Sequence, residues 1–158
     1  MRNILIFLLL FSYSTKADIS AKVIRVIDGD TIYVRDDDNK THKIRLAGID
    51  APEMSQPYGK ESRSHLQELI YGKEVFIETK KKDRYGRTIG TAYHDDIDVN
   101  LVQIKVGMAW WYEYYKDQQK PEDQRLYSTA HEQAKKNKVG LWKDPLAKNP
   151  YMWRKGDK

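Results

Sequence analysis

Three carboxylates in two separate segments have the chemistry to hold a hard cation and to activate water. Asp30 closes a turn at residues 28–30, whereas Asp50 and Glu53 lie at the end of the apolar run IRLAGIDAPE. Carboxylate oxygens suit calcium, and zinc is disfavoured because the chain has no cysteine and no paired histidines. A carboxylate beside a cation and a phosphodiester can orient a water and accept its proton. We therefore predict a weak calcium site at Asp30 and Asp50, with Glu53 acting on water.

Two arginines could supply the positive charge that phosphate chemistry requires. A guanidinium presents paired donors that match phosphate oxygens, and it stays charged at any working pH. A phosphoryl-type transition state gathers negative charge on its equatorial oxygens, which Arg45, Arg87 and a divalent cation would counter. Taken singly, each acid or arginine is better explained by a plain turn, a surface glutamate or a surface ion pair. The prediction of phosphodiester chemistry therefore depends on the whole set.

Alternating and β-branched runs predict five strands that could position these residues. Ile44 and Leu46 share one face of the third strand and Arg45 takes the other. A barrel that pairs the strands around Asp30 and Asp50 can bring both carboxylates to one rim. The predicted strands cover residues 19–27, 31–34, 42–47, 75–80 and 88–93.

Helical spacing predicts three helices. The first covers residues 58–71, the second is capped by Asp98 and closed by Gly107, and the third runs from Pro121 to about Asn137. Together with the strands they predict an α+β domain, namely a five-stranded OB-fold β-barrel with three α-helices. The third helix is expected to turn inward Leu126, Ala130 and Ala134.

Six segments together resemble the staphylococcal nuclease, or thermonuclease, family, as a secreted bacterial homologue. They keep the family's order and cover most of the chain after residue 17. The resemblance implies an OB-fold barrel and a calcium-dependent nuclease that cuts DNA and RNA, leaving 3′-phosphate and 5′-hydroxyl ends. The matching segments are VIDGDTIYV (26–34), IRLAGIDAPE (44–53), YGKESRSHL (58–66), KDRYGRTIGTAY (82–93), VNLVQIKVGMAW (99–110) and EQAKKNKVGLW (132–142).

The resemblance also implies a metal-ligand set. By matched position, Asp30 and Asp50 are calcium ligands, the backbone carbonyl of Ala51 is a third, and Asp28 lies in the outer shell. Ala51 stands where the staphylococcal enzyme has threonine, which matters little if only the carbonyl binds metal. Calcium is thus the expected cofactor.

Catalytic and substrate-binding roles follow from the same resemblance. Arg45 and Arg87 would bind and stabilise the reacting phosphate, and Glu53 would act on the attacking water. The loop after Glu53 is shorter than in the staphylococcal enzyme, and Glu113 stands where that enzyme has tyrosine. Folding is expected to survive the loss of either arginine. The residues expected along the substrate pocket are Arg84, Tyr85 and Tyr115.

The first seventeen residues have the layout of a secretory signal. A short positive start precedes an unbroken apolar run at residues 4–11, and small polar residues follow up to Ala17. Eight apolar residues are far fewer than the roughly 20 that span a bilayer. We predict cleavage after Ala17, export to the periplasm or the medium, and no stable membrane association after cleavage.

Charge and composition bound the function without deciding it. The formal net charge is +5, and removal of residues 1–17 lowers it by two because Arg2 and Lys16 lie there. A mildly basic domain permits DNA and RNA as partners without requiring them. We predict a monomeric nuclease domain at residues 18–142, held by its core because cysteine is absent.

Two segments remain open at this point. The basic tail at residues 143–158 is expected to be loosely ordered, although it could wrap the domain through Trp153 or reach toward phosphates. The aromatic run WWYEYY at residues 110–115 could stack on bases or fill the core. We expect Trp110 to pack inside.

Three other functions agree with parts of the sequence. A binding module could keep the OB fold and lose catalysis, but such relatives usually lack several site residues, and none is missing here. A metal-free ribonuclease would need two catalytic histidines, whereas the histidines here are scattered. An exported structural or adhesive domain does not explain five separated residues that match together. A nuclease is therefore the predicted function.

Overall fold

The computed structural model describes residues 18–156, in which eight strands occur. The predicted signal at residues 1–17 lies outside the described residues. The strands are β1 Ile19–Asp28, β2 Thr31–Asp36, β3 Thr41–Leu46, β4 Ile49–Asp50, β5 Glu74–Lys82, β6 Thr88–His94, β7 Ile97–Asp98 and β8 Trp110–Trp111.

Five of these strands close into a barrel. β1 pairs antiparallel with β2 and β5, β2 pairs with β3, and β5 pairs with β6. The barrel closes where β3 and β6 run parallel, with Ile44 opposite Thr88 and Arg45 opposite Ile89. β7 extends β6, and β4 pairs with β8 outside the barrel. The five-stranded OB-fold barrel predicted from the sequence is therefore confirmed.

Side-chain alternation explains why these segments form strands around an apolar core. On β3, Ile44 and Leu46 are completely buried, whereas Arg45 between them lies on the other face. Burial of each such side chain contributes about 1.5 to 3 kcal/mol. The core is lined by the inward residues of the barrel strands and is capped by helices. Its largest members include Val23, Ile32, Val34, Ile49, Leu66, Ile70, Ile77 and Ile104.

The three predicted helices are present, and a fourth short helix follows them. Asp98 caps the second helix as predicted, because its side chain accepts a hydrogen bond from the Leu101 N–H at 2.9 Å. No helix within residues 18–156 has the length and apolar character needed to cross a membrane. The helices are α1 Gly59–Ile70, α2 Val99–Lys105, α3 Pro121–Lys136 and α4 Pro150–Arg154, with 3-10 turns at Glu113–Gln118 and Gly140–Lys143.

The inward face of α3 differs from the prediction by one residue. Leu126 is 48% exposed, and Tyr127 is buried in its place beside Ala130 and Ala134. The hydroxyl of Tyr127 donates to the Asp98 carboxylate at 2.7 Å, so a polar partner exists for it in the core. The face of α3 that packs on the core therefore includes the Tyr127 ring, and Leu126 faces solvent.

The expectation of a loosely ordered tail is wrong up to residue 156. The Asn149 side chain accepts a hydrogen bond from the Tyr151 N–H at 2.9 Å and Pro150 is buried at the first turn of α4. The Gln56 side chain donates to the carbonyl of Lys148 at 2.7 Å. Residues 143–156, called the C-terminal segment below, are thereby folded against the loop that precedes α1.

Candidate active site

The turn at residues 28–30 places Asp30 at the barrel rim. The backbone N–H of Asp30 donates to the Asp28 carboxylate at 3.0 Å. A Cβ added to Gly29 would lie 1.8 Å from the Ser62 hydroxyl oxygen of α1, so only glycine lets the helix approach this closely. Helix α1 therefore packs closely on this turn, and Asp30 is buried.

One guanidinium joins Asp30 to Asp50. Nε of Arg45 lies 3.1 Å from Oδ1 of Asp30, and Nη2 lies 3.1 Å from Oδ1 of Asp50, which is only 1% exposed. The backbone N–H of Ala51 donates to Oδ2 of Asp30 at 2.7 Å. The structure thus brings together four of the predicted site residues, one from the turn at residues 28–30 and three from the segment 44–53.

Arg45 is almost fully engaged inside the protein. Its Nη1 donates to the carbonyl oxygens of Leu46 at 2.7 Å and Ile49 at 2.9 Å. A guanidinium has five N–H donors, and hydrogen bonds to Leu46, Ile49 and Asp50 use three of them. The Nε atom forms an ion pair with Asp30 at 3.1 Å without a hydrogen bond. Binding of a phosphate through the two remaining N–H groups therefore requires that Asp30 give up its contact with Nε.

Burial raises the pKa of two acids at the rim. Burial, reinforced by the charge of Asp30, raises the pKa of Asp28 to about 7. Burial also raises the pKa of Asp50 to about 6, although hydrogen bonds from Arg154 oppose the rise. Carboxylates held close together in a buried setting repel one another, and a cation relieves that repulsion.

Glu53 is fixed by the short loop that precedes α1. Its carbonyl accepts a hydrogen bond from the Gln56 N–H at 2.8 Å, and its own N–H donates to Oε1 of Gln56 at 3.2 Å. A Cβ added to Gly59 would lie 2.0 Å from the Glu53 carbonyl oxygen, so α1 begins directly against this loop. The backbone of Glu53 is therefore anchored while its carboxylate stays 39% exposed.

Arg154 of α4 connects Glu53 to Asp50. Its Nη1 lies 2.9 Å from Oε1 of Glu53 and 3.0 Å from Oδ1 of Asp50, and its Nη2 lies 2.9 Å from Oδ2 of Asp50. Burial opposes the charge of Arg154, but pairing with the two acids outweighs it and raises the pKa of the guanidinium. We call Asp30, Asp50 and Glu53 the acid cluster. Its three carboxylates face two guanidinium groups.

Sequence reasoning did not assign Arg154 to the site. Arg154 and Asp50 are 104 positions apart in the sequence, and no local sequence pattern predicts a contact between residues so far apart. One local signal was available, because asparagine followed by proline at positions 149 and 150 is typical of a helix start. That signal predicts α4 but not what α4 touches.

The predicted residues of the β5–β6 hairpin form a second group. Asp83 accepts hydrogen bonds from the backbone N–H groups of Tyr85 at 2.9 Å and Arg87 at 3.0 Å, and it pairs with Nε of Arg87 at 2.7 Å. Arg84 donates to the Tyr85 hydroxyl at 2.8 Å. We call these four residues the hairpin cluster. Between residues 18 and 156, no hydrogen bond or ion pair joins this group to the acid cluster.

Strand pairing sets the position of the hairpin cluster. Arg87 directly precedes Thr88, and Thr88 pairs with Ile44, the residue before Arg45. Arg87 lies two positions before Ile89, which pairs with Arg45 and therefore shares its face of the sheet. The register thus places Arg87, which directly precedes β6, next to the strand that carries Arg45.

The aromatic run divides between core and site. The Trp110 ring packs against Trp142 with centroids 4.4 Å apart, which confirms its predicted packing role. Tyr115 is half exposed and contacts the edge of Tyr112 at 4.9 Å. The Tyr112 ring lies 5.9 Å from the guanidinium carbon of Arg45. The structure therefore places Tyr112, which the sequence left open, next to the acid cluster, and Tyr115 behind it.

The donor set at the rim was compared with what calcium requires. Within residues 18–156, no three His, Cys, Asp or Glu side chains converge so as to hold a metal ion by themselves. Asp30 and Asp50 offer two buried hard-oxygen donors joined through Arg45. A cation there needs further oxygens from backbone or water, as calcium commonly accepts and structural zinc does not. The residues fit a weak calcium site.

Comparison with known proteins identifies the family. The model of the staphylococcal nuclease homologue family matches residues 43–144. The chain is 38% identical over 159 residues to the micrococcal nuclease of Shigella flexneri, covering 95% of this chain and 88% of that protein. It is also 38% identical to an uncharacterized endonuclease of Haemophilus influenzae, over 98% of this chain and 83% of that one. The protein ParB of Escherichia coli is 36% identical, over 88% and 81%. This chain belongs to the staphylococcal nuclease family.

Proposed function

We propose that this protein is a calcium-dependent nuclease that hydrolyses DNA and RNA to products with 3′-phosphate and 5′-hydroxyl ends. The family and the names of the relatives support hydrolysis of nucleic acid. Within this chain, the observation that carries the proposal is the joint engagement of Asp30 and Asp50 by Arg45. Buried charged groups seldom stabilise a fold, so a cluster of them in this position supports a chemical role.

The metal-binding part of the proposal uses the buried edge of the acid cluster. Asp30, Asp50 and the carbonyl of Ala51 would hold calcium, and Asp28 would lie in the outer shell. Bound calcium supplies a positive centre that polarises the phosphodiester and counters the charge developing on it. Few protein donors mean weak affinity, which suits an exported protein because extracellular calcium is abundant. The layout of residues 1–17 supports export.

The reacting groups would come from the exposed edge of the same cluster and from the neighbouring strand. Glu53 would orient the attacking water and accept its proton, for which its anchored backbone and half-exposed carboxylate are suited. Arg45 and Arg87 would bind the phosphate and counter the charge on its equatorial oxygens. Departure of the 5′ oxygen leaves the phosphate on the 3′ side.

Substrate contacts beyond the scissile phosphate are assigned to two exposed surfaces. Arg84 and Tyr85 lie exposed at the hairpin tip, where a backbone phosphate and a base can reach them. Tyr115 presents a half-exposed ring next to Tyr112. We also propose that the active unit is a monomer.

A nucleic-acid-binding module without turnover is the second candidate. The contacts of Arg154 with Asp50 and Glu53 favour it, because these carboxylates are occupied by a cationic side chain. In that case DNA would bind without being cut at millimolar calcium.

The deciding experiment is a calcium titration with product analysis. The purified protein is incubated with single-stranded DNA, double-stranded DNA and RNA, with calcium or with a chelator, and the product ends are labelled. We expect cleavage only with calcium and 3′-phosphate ends. Glu53→Gln is the matched control, since it keeps the shape and removes the base.

Each alternative result has a distinct meaning. Activity that persists in chelator contradicts the calcium requirement, and 5′-phosphate ends contradict the assigned leaving group. Retained DNA affinity without cleavage at any calcium concentration supports the binding module. Cleavage of RNA alone contradicts the proposed substrate range.

A further inference from the structure

Arg154 occupies the position at the acid cluster where a cation would find its oxygen donors. Its two terminal nitrogens contact both carboxylate oxygens of Asp50 and one oxygen of Glu53. We propose that the C-terminal segment is a cation-responsive clamp: Arg154 neutralises the acid cluster in the metal-free protein and leaves it when a divalent cation binds. The inference rests on the proposed calcium site.

The hydrogen-bond capacity of Asp50 explains why the two cations exclude each other. A carboxylate offers about four lone-pair positions. Oδ1 of Asp50 already accepts from Arg45 at 3.1 Å and from Arg154 at 3.0 Å, and Oδ2 accepts from Arg154 at 2.9 Å. A single position is left, on a side chain that is 1% exposed. Release of Arg154 frees two further positions on Asp50 for direct coordination of a cation.

The charge of the site points in the same direction. The three carboxylates of the acid cluster outnumber Arg45 and Arg154 by one charge. A divalent cation in place of Arg154 removes this excess, whereas a divalent cation added beside Arg154 leaves a net positive charge next to a buried guanidinium. Exchange thus gives the better balanced site.

The remaining contacts of the C-terminal segment suit reversible docking. Tyr151 stacks on Tyr114 with centroids 4.2 Å apart, and the carbonyl of Lys148 accepts the hydrogen bond from Gln56. A cavity of about 110 Å³ lies between the segment and the loop before α1, lined by Pro52, Tyr58 and Trp153 among others. Apart from Arg154, the segment is anchored by the Tyr151 ring stack, by the Gln56 hydrogen bond and by the burial of Pro150. Because Gln56 also binds the Glu53 backbone, the segment and the water-activating residue share an anchor.

The test measures calcium binding by calorimetry in the full protein and in three variants. Arg154→Met removes the competing guanidinium, and we expect affinity for calcium to rise about tenfold, the scale of a lost charged hydrogen-bond pair. Lys143→Gln is the matched control, because it removes a positive charge from the same segment and should change affinity less than about twofold. Tyr114→Ala weakens docking without touching Arg154, so it should tighten calcium binding by a smaller factor.

Hydrogen exchange provides a readout that does not depend on affinity. The amides of residues 151–154 should exchange faster when calcium is added to the wild-type protein, and they should exchange fast with or without calcium in Arg154→Met. Equal calcium affinity in wild type and Arg154→Met, or unchanged exchange on calcium addition, overturns the clamp while the calcium site itself stands. Absence of calcium binding in the wild type and in every variant overturns the proposed calcium site and the clamp together.

Discussion

Arg45 on the barrel and Arg87 on the hairpin each pair with aspartate, yet the surroundings of the two pairs are opposite. Arg45 is 12% exposed and contacts two buried carboxylates and two backbone carbonyls. Arg87 is 26% exposed and contacts Asp83, four residues away in the same hairpin. Arg45 therefore joins segments of the barrel that are distant in sequence, whereas Arg87 contacts its own hairpin turn through Asp83. Two arginines of equal charge can therefore contribute unequally to the stability of the fold.

The acids of the two regions differ in the same way. At the barrel rim, burial raises the pKa of Asp28 and Asp50. In the hairpin, burial also acts on Asp83, but the hydrogen bonds from Arg87 and Tyr85 outweigh it and lower the pKa. At the rim, the charged form of the carboxylates is therefore disfavoured by burial. In the hairpin, the charged form of Asp83 is favoured by its hydrogen bonds, and Asp83 anchors the turn. The following changes test whether this contrast governs stability and activity.

Loss of Arg45 should have the largest effect, because it damages both folding and catalysis. Arg45→Met leaves Asp30 and Asp50 short of a partner, and we expect unfolding to become easier by about 3 kcal/mol. We expect hydrolysis of DNA to fall by about a hundredfold or more. Urea unfolding in chelator and initial rates at saturating calcium measure the two effects.

Lys43→Met is the matched control for Arg45, since Lys43 lies on the same strand and is exposed. Its unfolding free energy should change by no more than about 0.5 kcal/mol. An Arg45→Met protein as stable as the wild type would show that the buried carboxylates do not depend on this arginine. The sequence alone predicted that folding survives the loss of either arginine, and the contacts of Arg45 change that expectation for this residue.

Loss of Arg87 should affect activity alone. Arg87→Met is expected to cost on the order of 3 kcal/mol of transition-state stabilisation, because the phosphate loses a guanidinium partner. The unfolding free energy should change by less than about 1 kcal/mol, since the pair with Asp83 is partly exposed. Rates and urea unfolding of the same preparation test both statements. Strong destabilisation would mean that the hairpin is as integral to the fold as the barrel rim.

A pH-dependent effect should appear at the rim. Asp28 has a folded pKa of about 7 against an ordinary 3.8, so between these values the folded protein binds more protons than the unfolded chain. Stability from the neutral carboxyl is therefore complete below about pH 4 and is lost as the pH rises to about 7. Asp28→Asn stays neutral and can still accept the Asp30 N–H. We expect its unfolding free energy to match that of the wild type near pH 4 and to exceed it near pH 8, by a difference that grows as the pH rises from about 4 to about 7.

Unfolding in chelator at both pH values measures this difference. Asp83→Asn serves as the contrasting variant, because the lowered pKa of Asp83 gives a stability contribution that is present above its ordinary pKa and lost as the pH falls. Equal pH profiles for Asp28→Asn and the wild type would contradict the assigned burial of Asp28.

The smallest effect is expected at the hairpin tip. Arg84 contacts only the exposed ring and hydroxyl of Tyr85 among the described residues, so Arg84→Gln should leave folding unchanged. Loss of one exposed phosphate contact should raise KM roughly twofold and reduce its salt dependence, with kcat unchanged. A large fall in kcat would indicate that Arg84 contacts the reacting phosphate rather than another phosphate of the nucleic-acid strand.

Sequence reasoning predicted the parts of the site that depend on strand and turn patterns. The turn before Asp30 and the buried strand before Asp50 are local signals, and barrel closure then brings the two acids together. Long-range contacts carry no such signal: the position of Arg154 on Asp50 depends on how α4 docks. The choice of Tyr127 over Leu126 in α3 likewise depends on a hydrogen bond to Asp98 that periodicity does not register. The spacing of apolar residues therefore predicted the ranges of the strands and helices. Hydrogen bonds between side chains determine which residues of an element face the core or the site.

The parallel seam between β3 and β6 has a consequence for how an anion would be gripped. Because Ile44 is opposite Thr88 and Arg45 is opposite Ile89, the spacing of Arg45 and Arg87 is set by main-chain ladder geometry rather than by side-chain choice. A shift of one residue in the register of these two strands would turn the side chain of one arginine toward the barrel interior, while the other stayed outside. The separation of the two arginines that we propose to bind a phosphate is therefore fixed by the strand register of the barrel.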